Sequence, residues 1–513
     1  TLFRSAACAC LPHVATQAAD HAGTHARGLR HTCGPSGRPG LIMSADPILV
    51  LQLHRMGDLI LTFPLLIRLR QLWPHNPLWV VAEPAFFQQL MPLAPDAVFF
   101  PPSHCQELAR QTYAAAINLS SSPVAAQLMA RLEPPLKLGP VADSDGLRVL
   151  GFWQLYRAAL TQNNHANAFH WADLHLLDLS PAPNLAAVGH SRPKPAGTRR
   201  VGLVLGASEA AKRPDAAFWA RLAMRLAAAD LAPVFLGGKA EQELGDEVAH
   251  RSGLAQANLC GKLALREVAA LMGTLDLCIT PDTGPMHLAD YLGVPVLNLS
   301  MGPVHARETG PSAPGQWVLR AAMSCVGCWQ CRRSRLFCKQ AFMPASVAQL
   351  ALQIHQELAT GKPCCKAPGN GLTLYRTGRD ALGLHTLKPY PEPRGNSCRP
   401  QLEDVWQAAF LFLYDPGQQT LLRQRLTNLH AKHPALAGRL AARLAHLCAL
   451  CSDHLKKRTP LPDDFWRVQP GMIRLFTGHL HMFLQNEGFS EQGWRTAVHR
   501  LAALAPVFAN PAS

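Results

Sequence analysis

The chain alternates short apolar runs with amphipathic stretches of helical period. ILVLQL (48–53), LWVVAE (78–83) and AAAINLS (114–120) have strand length and few polar positions, and a helix is expected from Asp58 to about Trp73. Strands that are apolar on both faces belong to parallel sheets covered on each side by helices. A second block repeats the pattern, with strands at VGLVLGAS (201–208), APVFLGG (232–238), DLCITPD (276–282) and VPVLNLS (294–300). Its helices are expected over 218–231, 265–275, 286–293 and 346–359. The stretch 180–200 is rich in Pro, Gly and Ala and reads as a linker. The expected fold class is therefore α/β, with doubly wound domains over 43–180 and 201–360, a linker at 181–200, and strand C-termini facing a common cleft. Residues 361–400 are dense in Pro, Gly and Arg without period and read as a second linker. From 401 to 513 the pattern is helical, an appendage with no legible chemistry.

A length of 513 residues suits two or three domains. Apolar residues at 48% and charged residues at 16% argue against disorder, and no apolar run approaches the roughly 18–20 residues of a membrane span. Residues 1–42 lack any period and contain no Met, so they are expected to be a disordered or non-native leader, with Met43 as the start. The formal charge is +15, and +12 remains without that leader. Such an excess favours an anionic partner. Sparse aromatics, with no basic tract interleaved among them, make nucleic acid the weaker choice. With no export signal, the 15 cysteines read as thiols or metal ligands rather than disulfides.

Four stretches could carry chemistry. HRMGD (54–58) joins a strand to a helix, and Asp58 is either an N-cap or a carboxylate facing the cleft as a proton acceptor. In GASEAAKRP (206–214), Ser208 lies in a small-residue loop, and Lys212 is either a solvated lysine or a point charge for phosphate. In PDTGPMHLADYLG (281–293), Asp282 and Thr283 cap a helix whose Thr283 and Gly284 amides would meet an anion. His287 is either a structural histidine or a donor to that anion. Cys325, Cys328, Cys331 and Cys338 place four thiols within 14 residues, either a zinc or iron thiolate site or inert cysteines, in a loop made basic by Arg332, Arg333 and Arg335.

In their order, these stretches resemble glycosyltransferase family 9, the ADP-heptose:lipopolysaccharide heptosyltransferases, over roughly Ile48 to Leu358. LQLHRMGDLILTFPLLIRLRQLWP is similar to the family's strand–GD–helix opening, NAFHWADLHLL (167–177) to the segment closing its first domain, and GASEAAKRP to its GAS…K-R-W-P element with Trp replaced. LGGKAEQEL (236–244) resembles the loop whose Glu, here Glu241, contacts the nucleotide ribose. The run from Asn258 to Leu299 follows the longest motif closely. SMGPVHARETGP departs from the usual Phe-Gly-Pro turn, and the acceptor-side loops diverge.

The resemblance implies a GT-B architecture of two Rossmann-like domains. It also implies inverting transfer of heptose from ADP-heptose, with no obligatory cofactor, to a lipid-anchored anionic saccharide of the lipopolysaccharide inner core. Asp58 would be the general base. Ser208, Lys212, Glu241, Asp282, Thr283, Gly284 and His287 would bind the donor. The enzyme would work in the cytoplasm, resting on the inner leaflet through its basic surface, without nucleic acid. Relatives that transfer heptose to protein hydroxyls and bind iron through cysteines supply an alternative, with a metal at Cys325, Cys328, Cys331 and Cys338. A non-catalytic nucleotide-binding thiolate scaffold is the rival of another class.

Overall fold

The computed structural model describes residues 45–511 apart from 145, 162, 180–193, 326, 330, 332, 367, 370, 392–396, 458–460, 463 and 467–468. The expectations for the leader 1–42 and for most of the linker 181–200 lie outside the described residues.

The first lobe is a six-stranded sheet in the order β3-β2-β1-β4-β5-β6. Its strands are β1 (Ile48–Leu51), β2 (Leu78–Val81), β3 (Val98–Phe100), β4 (Ala115–Asn118), β5 (Leu136–Asp143) and β6 (Gly146–Leu150). All pairs are parallel except β5–β6, which is antiparallel. Every side chain of β1 is fully buried, and sequestering each such aliphatic group is worth about 1.5–3 kcal/mol. The helix expected over 58–73 is two pieces, Met56–Ile60 and Phe63–Leu72. Pro64 has no N–H to donate and its ring crowds the preceding turn, so it starts the second piece instead of continuing the first.

The second lobe is a seven-stranded sheet in the order β13-β12-β11-β10-β9-β7-β8. β7 (Arg200–Val204), β8 (Ala232–Leu236), β9 (Leu277–Pro281), β10 (Val296–Leu299) and β11 (Trp317–Ala321) are parallel. The region 361–400, expected to be a linker, instead forms a hairpin of β12 (Leu372–Arg379) and β13 (His385–Pro389) that pairs antiparallel with β11. It buries Leu372, Leu374 and Leu387 together with Thr377 and His385, and leaves β13 as the edge of the sheet.

Beyond the hairpin, helices Arg399–Tyr414, Gln419–Lys432, Pro434–Lys457, Arg474–Asn486 and Glu491–Ala509 form the expected appendage. It packs on the first lobe: Phe410 meets Tyr156 edge-on at 4.7 Å and stacks on Phe476 at 4.9 Å. Asn486 is bonded to both the N–H and the C=O of Val149. Hairpin and appendage also tie the lobes together. Arg379 meets Asp173 of the first lobe at 2.6 Å and donates to Ser312 O of the second. Arg307 of the second lobe meets Glu403 of the appendage at 2.9 Å. No described helix is long and apolar enough to cross a membrane.

Candidate active site

In each lobe the strand order reverses beside the first strand, at β1/β4 and at β7/β9, and the loops leaving those strands line the crevice where ligands bind in such sheets. In the first lobe, His54 follows β1 and Ser121 follows β4. His54 Nε2 accepts the Ser121 amide hydrogen at 3.1 Å and lies 2.9 Å from its hydroxyl, which joins the two loops and leaves the ring proton on Nδ1. Burial lowers the His54 pKa, with Asp58 opposing. The chain then enters the helix Met56–Ile60, where Asp58 Oδ2 accepts the Arg55 amide at 3.2 Å. Asp58 therefore caps its own helix while remaining partly exposed. Beneath it lies Arg157, which donates to Leu119 O at 2.8 Å and sits over the Trp171 ring at 5.3 Å. Burial pulls this guanidinium down to about 10, and Asp58 and Glu308 resist that shift.

In the second lobe, the loop after β7 holds Gly206 and Ser208. A Cβ on Gly206 would stand 2.5 Å from the Glu241 carboxyl carbon, so the missing side chain is what lets Glu241 lie on this loop. Glu241 Oε2 accepts the Gly238 amide at 2.9 Å, and Arg213 stands 3.8 Å from its other oxygen. Lys212, on the short turn Ala210–Lys212, is only 6% exposed. Its ammonium lies 3.4 Å from Glu209 and 5.3 Å from the Trp329 ring.

After β9, Asp282 and Thr283 lead into the helix Gly284–Tyr291, which begins two residues earlier than expected, with Pro285 in its first turn. Thr283 is the N-cap residue in extended conformation, and its side chain makes no capping bond; Pro285 has no N–H and the Met286 N–H is bonded to Thr283 O at 3.0 Å, so the Thr283 and Gly284 amides are the ones that face outward. Asp282 accepts from Thr309 Oγ1 at 3.1 Å. Burial pushes its carboxyl up to about 6. Asp58 pushes the same way, while Lys212 and Thr309 oppose. His287 is buried, and its Nδ1 has no hydrogen-bond partner. Burial pulls its pKa down to about 3, with His170 adding to the shift. The ring is neutral at pH 7 and can donate a hydrogen bond but brings no charge to an anion.

The two loops meet. A Cβ on Gly57 would stand 2.8 Å from the His287 ring and 3.6 Å from Gly284 Cα, and one on Gly284 would stand 2.4 Å from the Met56 methyl. The Gly-Asp turn of one lobe thus packs directly on the helix N-terminus of the other. Arg55 spans the same gap, its Nη1 donating to Ser208 Oγ at 2.9 Å. Asp58, Ser208, Lys212, Asp282, Gly284 and His287 are brought to one junction, with Glu241 behind the Gly206 loop.

Sequence reasoning missed Arg55, Arg157, Thr309 and Glu308. Glu308 accepts from Asn164 of the opposite lobe at 3.1 and 3.2 Å, and burial pushes it up to about 7. Only Arg55 had a local signal, as a cation three residues before Asp58.

The Cys loop lies beside this junction, since Trp329 covers Lys212 and runs near-parallel to Trp171 at 6.3 Å. Burial raises the Cys328 thiol, and Cys331, Cys338 and Cys325 add to the shift. Among the described residues, however, no group of three or more His, Cys, Asp or Glu is placed to hold a metal ion. In this arrangement the residues do not fit one.

Two doubly wound lobes, meeting over a carboxylate on one and a helix N-terminus on the other, form the two-domain α/β architecture of the GT-B type. Within that class, the model of glycosyltransferase family 9 (heptosyltransferase) matches residues 102–335, and the likeness read from the motifs stands. Lipooligosaccharide heptosyltransferase 2 of Campylobacter jejuni is 30% identical over 162 residues, 30% of this chain and 50% of that protein. Lipopolysaccharide core heptosyltransferase OpsX of Haemophilus influenzae is 34% identical over 61 residues, 12% of this chain and 18% of that one. The structure of ADP-heptose lps heptosyltransferase II of E. coli aligns with a TM-score of 0.47 at 18% identity, over 61% of this chain and all of that one. The chain spans about half the length of the first of these relatives.

Proposed function

We propose that this chain is an inverting glycosyltransferase that moves heptose from ADP-heptose to a saccharide acceptor of the lipopolysaccharide inner core. The observation that carries the proposal is the contact of the Gly57–Asp58 turn with the Asp282–His287 turn across the lobe junction. In this reading Asp58 takes the proton of the acceptor hydroxyl. The freed oxygen attacks the anomeric carbon from the first-lobe side, and the carbon–oxygen bond to the diphosphate breaks on the second-lobe side. Attack and departure on opposite faces invert the configuration. The Thr283 and Gly284 amides and the helix dipole receive the departing diphosphate, with Glu241 placed for the ribose. The basic surface suits an anionic acceptor at an inner-leaflet membrane surface, with work done in the cytoplasm.

General-base catalysis is worth about 10²–10⁴-fold in rate. Asp58→Ala is expected to lose that much turnover in a coupled ADP-release assay while ADP affinity by calorimetry changes less than threefold. Equal losses in both would remove Asp58 from the base role. A screen of ADP-, UDP- and GDP-sugars fixes the donor.

A further inference from the structure

We propose that Arg55 is a catalytic residue: its guanidinium, extended from the base-bearing turn across the lobe junction to Ser208, binds the departing diphosphate. The inference rests on the transferase reading above and deepens it.

Transfer leaves an electron pair on the diphosphate oxygen as the bond to the anomeric carbon breaks. The acceptor proton ends on Asp58, so the negative charge that builds on the leaving group needs its own cation. The two second-lobe candidates are poorly placed to supply it. Lys212 is 6% exposed, shielded by Trp329 and already beside the Glu209 carboxylate. His287 is neutral and lies beneath Gly57.

Arg55 differs on each count. It is exposed, and no carboxylate lies within ion-pair distance of its guanidinium among the described residues. Its Nη1 already reaches the loop after β7 at 2.9 Å. Its backbone N–H is bonded to Asp58 Oδ2 at 3.2 Å, so base and cation share one rigid turn. Guanidinium groups match phosphate oxygens with paired donors, and the uncharged Ser208 hydroxyl is a partner that a phosphate can displace. Placing this cation on the first lobe also makes the charge stabilisation conditional on lobe contact, because an open cleft would carry Arg55 away from the donor.

The test uses the full chain, with ADP and AMP as probes by calorimetry and ADP-heptose turnover alongside. Wild type is expected to prefer ADP, which has the second phosphate. Arg55→Gln is expected to weaken ADP about tenfold, leave AMP within twofold, and lower kcat about 10²-fold, the usual loss on removing one transition-state donor. Arg55→Lys should recover part of kcat. An unchanged ADP-to-AMP ratio in Arg55→Gln, or wild-type kcat in that variant, overturns the proposal and leaves the donor site standing. Failure of wild type to bind either nucleotide overturns the donor reading itself. Melting curves of each variant confirm that folded protein is compared.

Discussion

The contact at Gly57 gives a prediction whose sign depends on the lobes being closed. Gly57 lies inside the short helix Met56–Ile60, with no left-handed backbone angle to forbid a side chain. In an open helix, Gly→Ala is stabilising by about 0.5–1 kcal/mol, because alanine loses less backbone freedom on folding. Here the new methyl would stand 2.8 Å from the His287 Cδ2 and 3.3 Å from its Nε2. The ring is only 7% exposed and cannot swing into water. Overpacking of this kind costs about 1–3 kcal/mol, so the net expectation is destabilisation of about 1–2 kcal/mol, or lobes that separate to avoid it. Misplacement of about 1 Å between base and leaving group can cost 10²-fold in rate. Gly57→Ala should therefore lower turnover by about that factor and depress chemical-denaturation stability. Introduced alongside His287→Ala, the same methyl should become neutral or stabilising, a coupling of about 1–2 kcal/mol in a double-mutant cycle. Strict additivity, or wild-type turnover in Gly57→Ala, would falsify the packing of these two turns.

Further outcomes follow from other buried groups. Glu308 is pushed up to about 7 by burial, so the folded state holds a proton that the unfolded chain releases above its ordinary value of 4.5. Its stabilising contribution is complete below that value and lost as pH rises through 7. Glu308→Gln should flatten the fall of melting temperature between pH 5 and 8, and parallel curves for variant and wild type would refute this. Asp173 is 2% exposed and serves both Arg379 at 2.6 Å and the His385 amide at 2.7 Å. Asp173→Ala removes the carboxylate that faces Arg379 and should cost about 3 kcal/mol in urea unfolding, with less than 1 kcal/mol disproving the tie.

What was legible in the sequence follows from burial. β1, β4, β7, β9 and β10 are covered on both faces, so they read as apolar runs, and their helices are amphipathic enough to separate them. β3 lies at a sheet edge and is partly exposed, β12 is half-buried beside the edge strand β13, and their mixed composition left them hidden among turns. Asp58, Ser208 and Thr283 were visible because each lies within a few residues of the C-terminal end of a buried strand. Glu308 and Arg157 were not, because their properties arise from partners far off in sequence: Asn164 for one, Asp58 and Leu119 for the other. Lys212 and His287 were found as residues, but their shielding and neutrality come from Trp329 and from the closed junction, which no local pattern reports.

The helix Phe152–Ala159 has no free side. Trp153 and Tyr156 are completely enclosed, Phe152 touches Phe410 and His479, and Arg157 on the same helix reaches toward Asp58. The C-terminal helices are accordingly part of the wall against which the Asp58 turn is set. A chain ending after the helix Pro344–Thr360 would bare this aromatic face to water, and the two lobes alone would aggregate rather than form a smaller protein.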